Sequence, residues 1–141
     1  MSLENNNFNV TLNLRLDWSE MDIFGHINNV MFMKFIQASR VNYWEKIGIS
    51  GQFKETGIGP MLASTSCQFK KPLFYPGNIT VEAKVISIGT TSFKLNHRIL
   101  DQNGELAAIG EDVVVLFDFK RNEKVVIPEE IKKKIGKIEN Q

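Results

Sequence analysis

The chain has 141 residues, 43% hydrophobic and 23% charged, with 17 Lys and Arg against 16 Asp and Glu for a net charge of +1. That length suits one domain of ordinary globular composition and excludes a disordered chain. The charge balance leaves no electrostatic footprint for duplex DNA, so no nucleic-acid partner is expected. Cys67 is the single cysteine, which excludes an internal disulfide framework and any multi-cysteine metal cluster. No apolar run approaches the ~20 residues of a membrane span. The N-terminus, MSLENNNFNV, lacks the basic and apolar regions of a signal peptide, so a cytoplasmic protein is expected.

Residues 1–6 are polar and are expected to be frayed. Phe8, Val10, Leu12, Leu14 and Leu16 then alternate with polar residues, the period of a half-buried strand. Asp17 to Asn29 reads as a loop, punctuated by Gly25. Asn28 or Asn29 is placed to cap a helix from about Val30 to Ile47, with Gly48 as its stop. Its first two turns are apolar on nearly every side, so the helix should be surrounded rather than rest on a flat surface.

After a connector over 48–59, Met61, Ala63, Thr65, Cys67 and Phe69 alternate against Leu62, Ser64, Ser66, Gln68 and Lys70. Pro72 ends that strand, and Tyr75-Pro76-Gly77-Asn78 is a turn. Ile79 to Val85 and Phe93 to Ile99 form two further strands, broken at Gly89, and a hairpin turn at 101–104 leads to a strand over about 105–119. The unbroken run Val113 to Phe117 implies that both faces of this strand are covered. Pro128 and Glu129-Glu130 open a short terminal helix over 127–138. Short turns force antiparallel pairing, and the long helix interrupts only once. The expected class is α+β: one antiparallel five-stranded sheet wrapped around a long central helix.

The chemically loaded segment is Asp22 to Asn29, just before that helix. A carboxylate flanked by Met21, Ile23 and Phe24 is expected to be partly desolvated, which suits a base or nucleophile. Gly25 lets a ligand or another backbone come close. Free N–H groups at a helix start face a bound anion or a developing oxyanion. Acyl transfer needs those parts together, although the same residues also form a turn and a cap. His26 is the candidate functional histidine, whereas His97 alternates with Phe93, Leu95 and Ile99 and reads as a core residue. No local spacing supports a metal site of His26, His97 and Asp22, and no cofactor is expected. Cys67 reads as a small core residue, Lys70-Lys71 as a solvated face, and Thr90-Thr91-Ser92 as hydroxyls that a substrate could use.

The run from Leu14 to Asn29, with Arg15 and then Asp22-Ile23-Phe24-Gly25-His26-Ile27-Asn28-Asn29, resembles the opening of the hotdog-fold acyl-CoA thioesterases of the 4-hydroxybenzoyl-CoA thioesterase family. Phe69 to Ser92 resembles the family's second half, and the similarity spans about 8–128 within one domain over 1–141. The resemblance implies hydrolysis of an acyl-CoA thioester to a free acid and CoA, in a homodimer or a dimer of dimers. It implies Asp22 as catalytic nucleophile or base and the backbone N–H of Asn29 as oxyanion donor. It also marks Gly25, His26, Asn28 and Phe32 as substrate-side positions, and Thr91 and Ser92 join them as candidate contacts. Phe32 stands where Tyr is usual in the family, and Glu20 where a second Asp is common. A non-catalytic acyl-CoA or acyl-carrier binding protein and a hydratase or dehydratase remain alternatives, since fold does not fix function.

Overall fold

Strand β1 (Val10–Arg15) leads through a short 3₁₀ turn (Trp18–Glu20) and the Asp22 loop into α1 (Asn29–Ile47). A single turn of helix, α2 (Phe53–Thr56), precedes β2 (Ile58–Phe69), β3 (Asn78–Ile88), β4 (Ser92–Leu100) and β5 (Leu106–Asp118). The two-residue β6 (Glu123–Lys124) and then α3 (Glu129–Glu139) complete the order. A computed structural model describes residues 7–141, so the expected fraying of 1–6 lies outside the described residues. Among those residues no helix is long and apolar enough to cross a membrane.

All pairings are antiparallel, in the spatial order β1-β3-β4-β5-β2, with β6 added to β5. The architecture is the α+β hotdog arrangement, a curled sheet around one long helix, with β6 as a small addition to the five expected strands. The helix is bounded as its sequence dictates. The Asn28 side chain accepts from the Val30 N–H at 3.0 Å, and Gly48 ends the helix with φ 64°.

Helix α1 divides the core in two. Phe32, Phe35 and Ile36 pack with Ile79, Val81, Ile99 and Ala108, while Tyr43 and Ile47 pack with Val85, Phe93, Leu95, Val114 and the α3 residues Ile131 and Ile135. Each large apolar side chain buried this way contributes about 1.5–3 kcal/mol. Close approach is possible because Gly110 lies under the helix: a Cβ there would stand 2.7 Å from Ile36 Cδ1. The first turns are less enclosed than their composition implies, since Val30 is 65% exposed and Met31 and Met33 are half-buried. Apolar character on every side does not require cover on every side.

Two expectations about strands are corrected. The alternation along β2 breaks where the register shifts between Leu62 and Ser64, a bulge at Ala63. Met61 pairs with Val115 and Thr65 with Asp112, so the two fall on opposite faces. On β5, Val114, Val115 and Leu116 are buried but Val113 and Phe117 only half-buried. Local cover comes from a ring cluster in which Phe119 packs edge-on against Phe117 and Phe53.

Buried polar groups tie the layers together. Arg40 Nε and Nη2 donate to the Asp112 carboxylate at 2.9 and 3.2 Å. His97 Nε2 lies 2.6 Å from the same carboxylate, and its Nδ1 lies 2.8 Å from Ser39 Oγ. His97 is therefore the core residue that its alternation predicts. At the other end Glu139 accepts from the Tyr43 hydroxyl at 2.5 Å and from the Val85 N–H at 3.0 Å, with Lys84 Nζ at 3.4 Å. Burial, and then the Glu139 carboxylate, push the Tyr43 phenol up.

Burial alone would raise the pKa of Asp112, but the hydrogen bonds from His97 and Arg40 outweigh it and hold the carboxyl at about 2. Folding thus favours the ionised form. Its contribution, ~2 kcal/mol, is complete above the ordinary carboxylate range and is lost as pH falls from about 4 toward 2. Urea denaturation at stepped pH should show that loss. Asp112→Asn should flatten this part of the profile while lowering stability at pH 7 by about 3–5 kcal/mol, because Arg40 is left buried without its counter-ion.

Candidate active site

The Asp22 loop is a tight hairpin closed by backbone bonds. Met21 bridges to Ile27, the Asp22 N–H donates to the His26 carbonyl at 2.8 Å, and the Gly25 N–H donates to the Asp22 carbonyl at 3.2 Å. Gly25 adopts φ 83°, a conformation that other residues reach only with strain, and open space surrounds the position a Cβ would take. The hairpin is anchored on two sides. The Ile27 N–H donates to the Leu73 carbonyl and the Asn28 N–H to the Glu20 carbonyl, each at 2.8 Å.

The Asp22 carboxylate is divided in its duties. Its Oδ1 accepts from the Phe24 N–H at 2.9 Å and the His26 N–H at 3.3 Å, which holds the turn. Its Oδ2 has no hydrogen-bond partner among the described residues. The side chain is half-buried, but Ile23 and Phe24 are 94% and 77% exposed. The flanking apolar residues point outward, so within this chain they do not supply the desolvation expected of them.

Asn28 caps the helix with its side chain, as a structural reading of the motif requires. Asn29 follows as the first helical residue, and its N–H has no partner among the described residues. Geometry forces this, since the first N–H groups of a helix find no carbonyl one turn back. A cavity of about 410 Å³ brings Asp22, His26, Asn29 and Phe32 together with Phe69, Lys70 and Pro72. The rings of Phe32 and Phe69 meet edge-on with centroids 5.1 Å apart, as do those of His26 and Phe74. Lys71 also borders the cavity, but its amine is bound to Asp101 at 2.7 Å and to Glu105.

Thr91 and Ser92 are not brought to this cavity. Ser92 begins β4, whereas the Asp22 loop sits by the other end of the sheet, where Arg15 pairs with Asn78 and Thr80 with Leu100. β4 is nine residues long, about 27 Å of extended chain from end to end. The two histidines are also apart, His26 at the cavity and His97 in the core. Cys67 is half-buried against the Phe32 cluster, and burial pushes its thiol up. A cleft of about 400 Å³ at the C-terminal end of α1, lined by Ile49, Ile58, Leu116 and Ile131, holds the Glu130–Lys134 ion pair but none of the candidate residues. Residue spacing missed Phe69 and Lys70 as cavity residues, although Phe69 stood at the end of an alternating run just before Pro72.

The match to the thioesterase-like superfamily covers residues 16–135, which includes the whole Asp22 loop, α1 and the sheet from β2 onward. The chain belongs to the thioesterase-like superfamily. Among solved structures, a thioesterase from Thermus thermophilus, complexed with coenzyme A and Zn, superimposes with a TM-score of 0.84 at 22% identity, covering 97% of this chain and 98% of that one. The PA2801 protein of Pseudomonas aeruginosa superimposes with a TM-score of 0.80 at 25% identity, over 89% of this chain and 96% of that one. YsmA, an uncharacterized protein of Bacillus subtilis (strain 168), is 26% identical over 98 residues, which are 70% of this chain and 65% of YsmA. The chain thus spans just under two thirds of that relative's length.

Proposed function

We propose that the protein hydrolyses an acyl-CoA thioester to a free carboxylic acid and CoA. One observation carries this reading: Asp22, whose Oδ2 has no partner among the described residues, lines the same cavity as Asn29, whose helix-start N–H likewise has none among them. Membership of the superfamily and the coenzyme A bound in the Thermus thermophilus structure support the choice of thioester.

In the base route, Asp22 Oδ2 takes a proton from water as its oxygen bonds to the thioester carbon, and the Asn29 N–H donates to the oxyanion. Collapse breaks the C–S bond, and the proton held by Asp22 passes to the departing thiolate. In the nucleophile route, Oδ2 itself bonds to the carbon and the C–S bond breaks, CoA leaving as its thiolate. Water then cleaves the mixed anhydride, releasing the acid and the Asp22 carboxylate, and a proton from that water goes to the thiolate. Both routes need Oδ2 free, and the bonds to Oδ1 hold the carboxylate in place. Gly25, His26 and Phe32 border the acyl group in this reading, with Phe69 opposite Phe32 as an apolar wall.

We further propose that the working unit is a homodimer or a dimer of dimers. Strand β2 is an edge, and residues 62–66 along it are exposed. Unpaired edges invite pairing, and a two-fold axis is the commonest way to satisfy one. A second copy along β2 would also cover the half-buried Val113 and Phe117.

Three outcomes are expected. Asp22→Asn can keep its Oδ1 contacts, so the loop should stay folded while thiol release from acyl-CoAs falls by about 100-fold or more. A folded variant with normal turnover would instead favour a non-catalytic acyl-CoA binder. Asn29→Ala should be mild beside Asn29→Pro, which deletes the donor at a position where helices tolerate proline. Equal losses would assign the role to the Asn29 side chain. Sedimentation at micromolar concentration should show a dimer or larger; a fully active 16.1 kDa monomer would overturn the shared assembly.

A further inference from the structure

Glu20 lies outside the candidate cavity, is only 5% exposed, and takes no part in the chemistry described above. Its connections nevertheless converge on the reacting groups. Its Oε1 accepts from the Asp17 N–H at 2.7 Å, closing a capping box around the 3₁₀ turn that leads to Asp22. Its Oε2 accepts from Lys34 Nζ at 3.1 Å, in the second turn of α1. Its carbonyl accepts from the N–H of Asn28, the residue before the oxyanion donor. One residue therefore binds the entry leg of the Asp22 hairpin to the cap of α1 through the backbone and to α1 itself through an ion pair.

We propose that Glu20 is a positioning residue for thioester hydrolysis, fixing Asp22 Oδ2 relative to the Asn29 N–H. The inference rests on the roles given above to Asp22 and Asn29. The exit leg of the hairpin is held independently by Ile27 on Leu73. The entry leg has the Asn28 bond and the Glu20 side chain, so loss of that side chain lets the leg pivot about the Met21–Ile27 bridge. A displacement of about 1 Å in a reacting group can cost about 100-fold in rate. Stability depends much less on this carboxylate. Asp17 is exposed and the Lys34 side chain is 66% exposed, so water replaces Glu20 as their partner.

The test uses the full chain with acetyl-, hexanoyl-, lauroyl- and 4-hydroxybenzoyl-CoA, taking the best substrate forward and working well below the thermal midpoint. Glu20→Ala should lower kcat by about 10- to 30-fold and leave KM within about twofold, because positioning acts on the transition state rather than on ground-state binding. Glu20→Gln keeps the acceptor for Asp17 and loses only the charge, so its kcat should fall by about threefold to fivefold. Lys34→Gln should match it, and the double variant should be no slower than either single one, since both remove the same ion pair. Should Glu20→Ala fail to fold, Lys34→Gln decides, as it alters an exposed side chain. A kcat within twofold of wild type for Lys34→Gln and Glu20→Gln, with Asp22→Asn inactive, overturns the positioning role alone. So does a loss confined to thermal stability or to KM. Full turnover by Asp22→Asn overturns the thioesterase reading and this proposal with it.

Discussion

A helix enclosed by its own sheet must find partners for any polar group on its buried side, and α1 carries Ser39 and Arg40 there. The Asp112 carboxylate on β5 answers both, Arg40 directly and Ser39 through His97 on β4. Thr65 on β2 stands opposite Asp112 in register. Elements from three strands and the helix therefore meet at one charge. Sliding or rotating α1 would unpair a buried ion pair, which costs several kcal/mol, whereas apolar contacts alone would permit small adjustments. The helix is locked in register from its middle.

That lock reaches the site. Asn29 precedes Ser39 by ten residues, about 15 Å of helix, so fixing the middle of α1 also fixes where its first N–H groups stand. The Asp22 hairpin is then fitted to this end by short-range bonds rather than by packing, which explains how Ile23 and Phe24 can stay exposed around a well-defined carboxylate. Rigid helix and hydrogen-bonded turn play complementary parts. One delivers the donor, the other presents the oxygen.

Much of this was legible from local pattern. Period-two runs marked the strands because the pleat turns alternate side chains to one face, and Asn28 and Gly48 marked the helix because each end needs a cap. The motif around Asp22 was legible because the residues proposed to act together there lie within eight consecutive positions. What spacing missed depends on distant partners. The bulge at Ala63 follows from how β2 meets β5, and apolar, small and polar residues all alternate straight through it in sequence. Thr91 and Ser92 sat in a plausible hydroxyl-rich turn, yet strand direction carries them to the far end of β4. Glu20 was legible only as standing where a second Asp is common, because its partner Lys34 lies fourteen residues on.

The bond between Glu139 and Val85 has a temporal side. A backbone donor in β3 is left without a strand partner where β1 stops at Val10, and the carboxylate that satisfies it lies 54 residues further along the chain. Strands β3, β4 and β5 follow one another in sequence and can pair as successive hairpins before α3 docks. Through that interval the Val85 N–H and the Tyr43 hydroxyl must be served by water, in a region that ends fully buried. Until α3 docks, that end of the sheet is therefore wet, and drying it is the work of this helix.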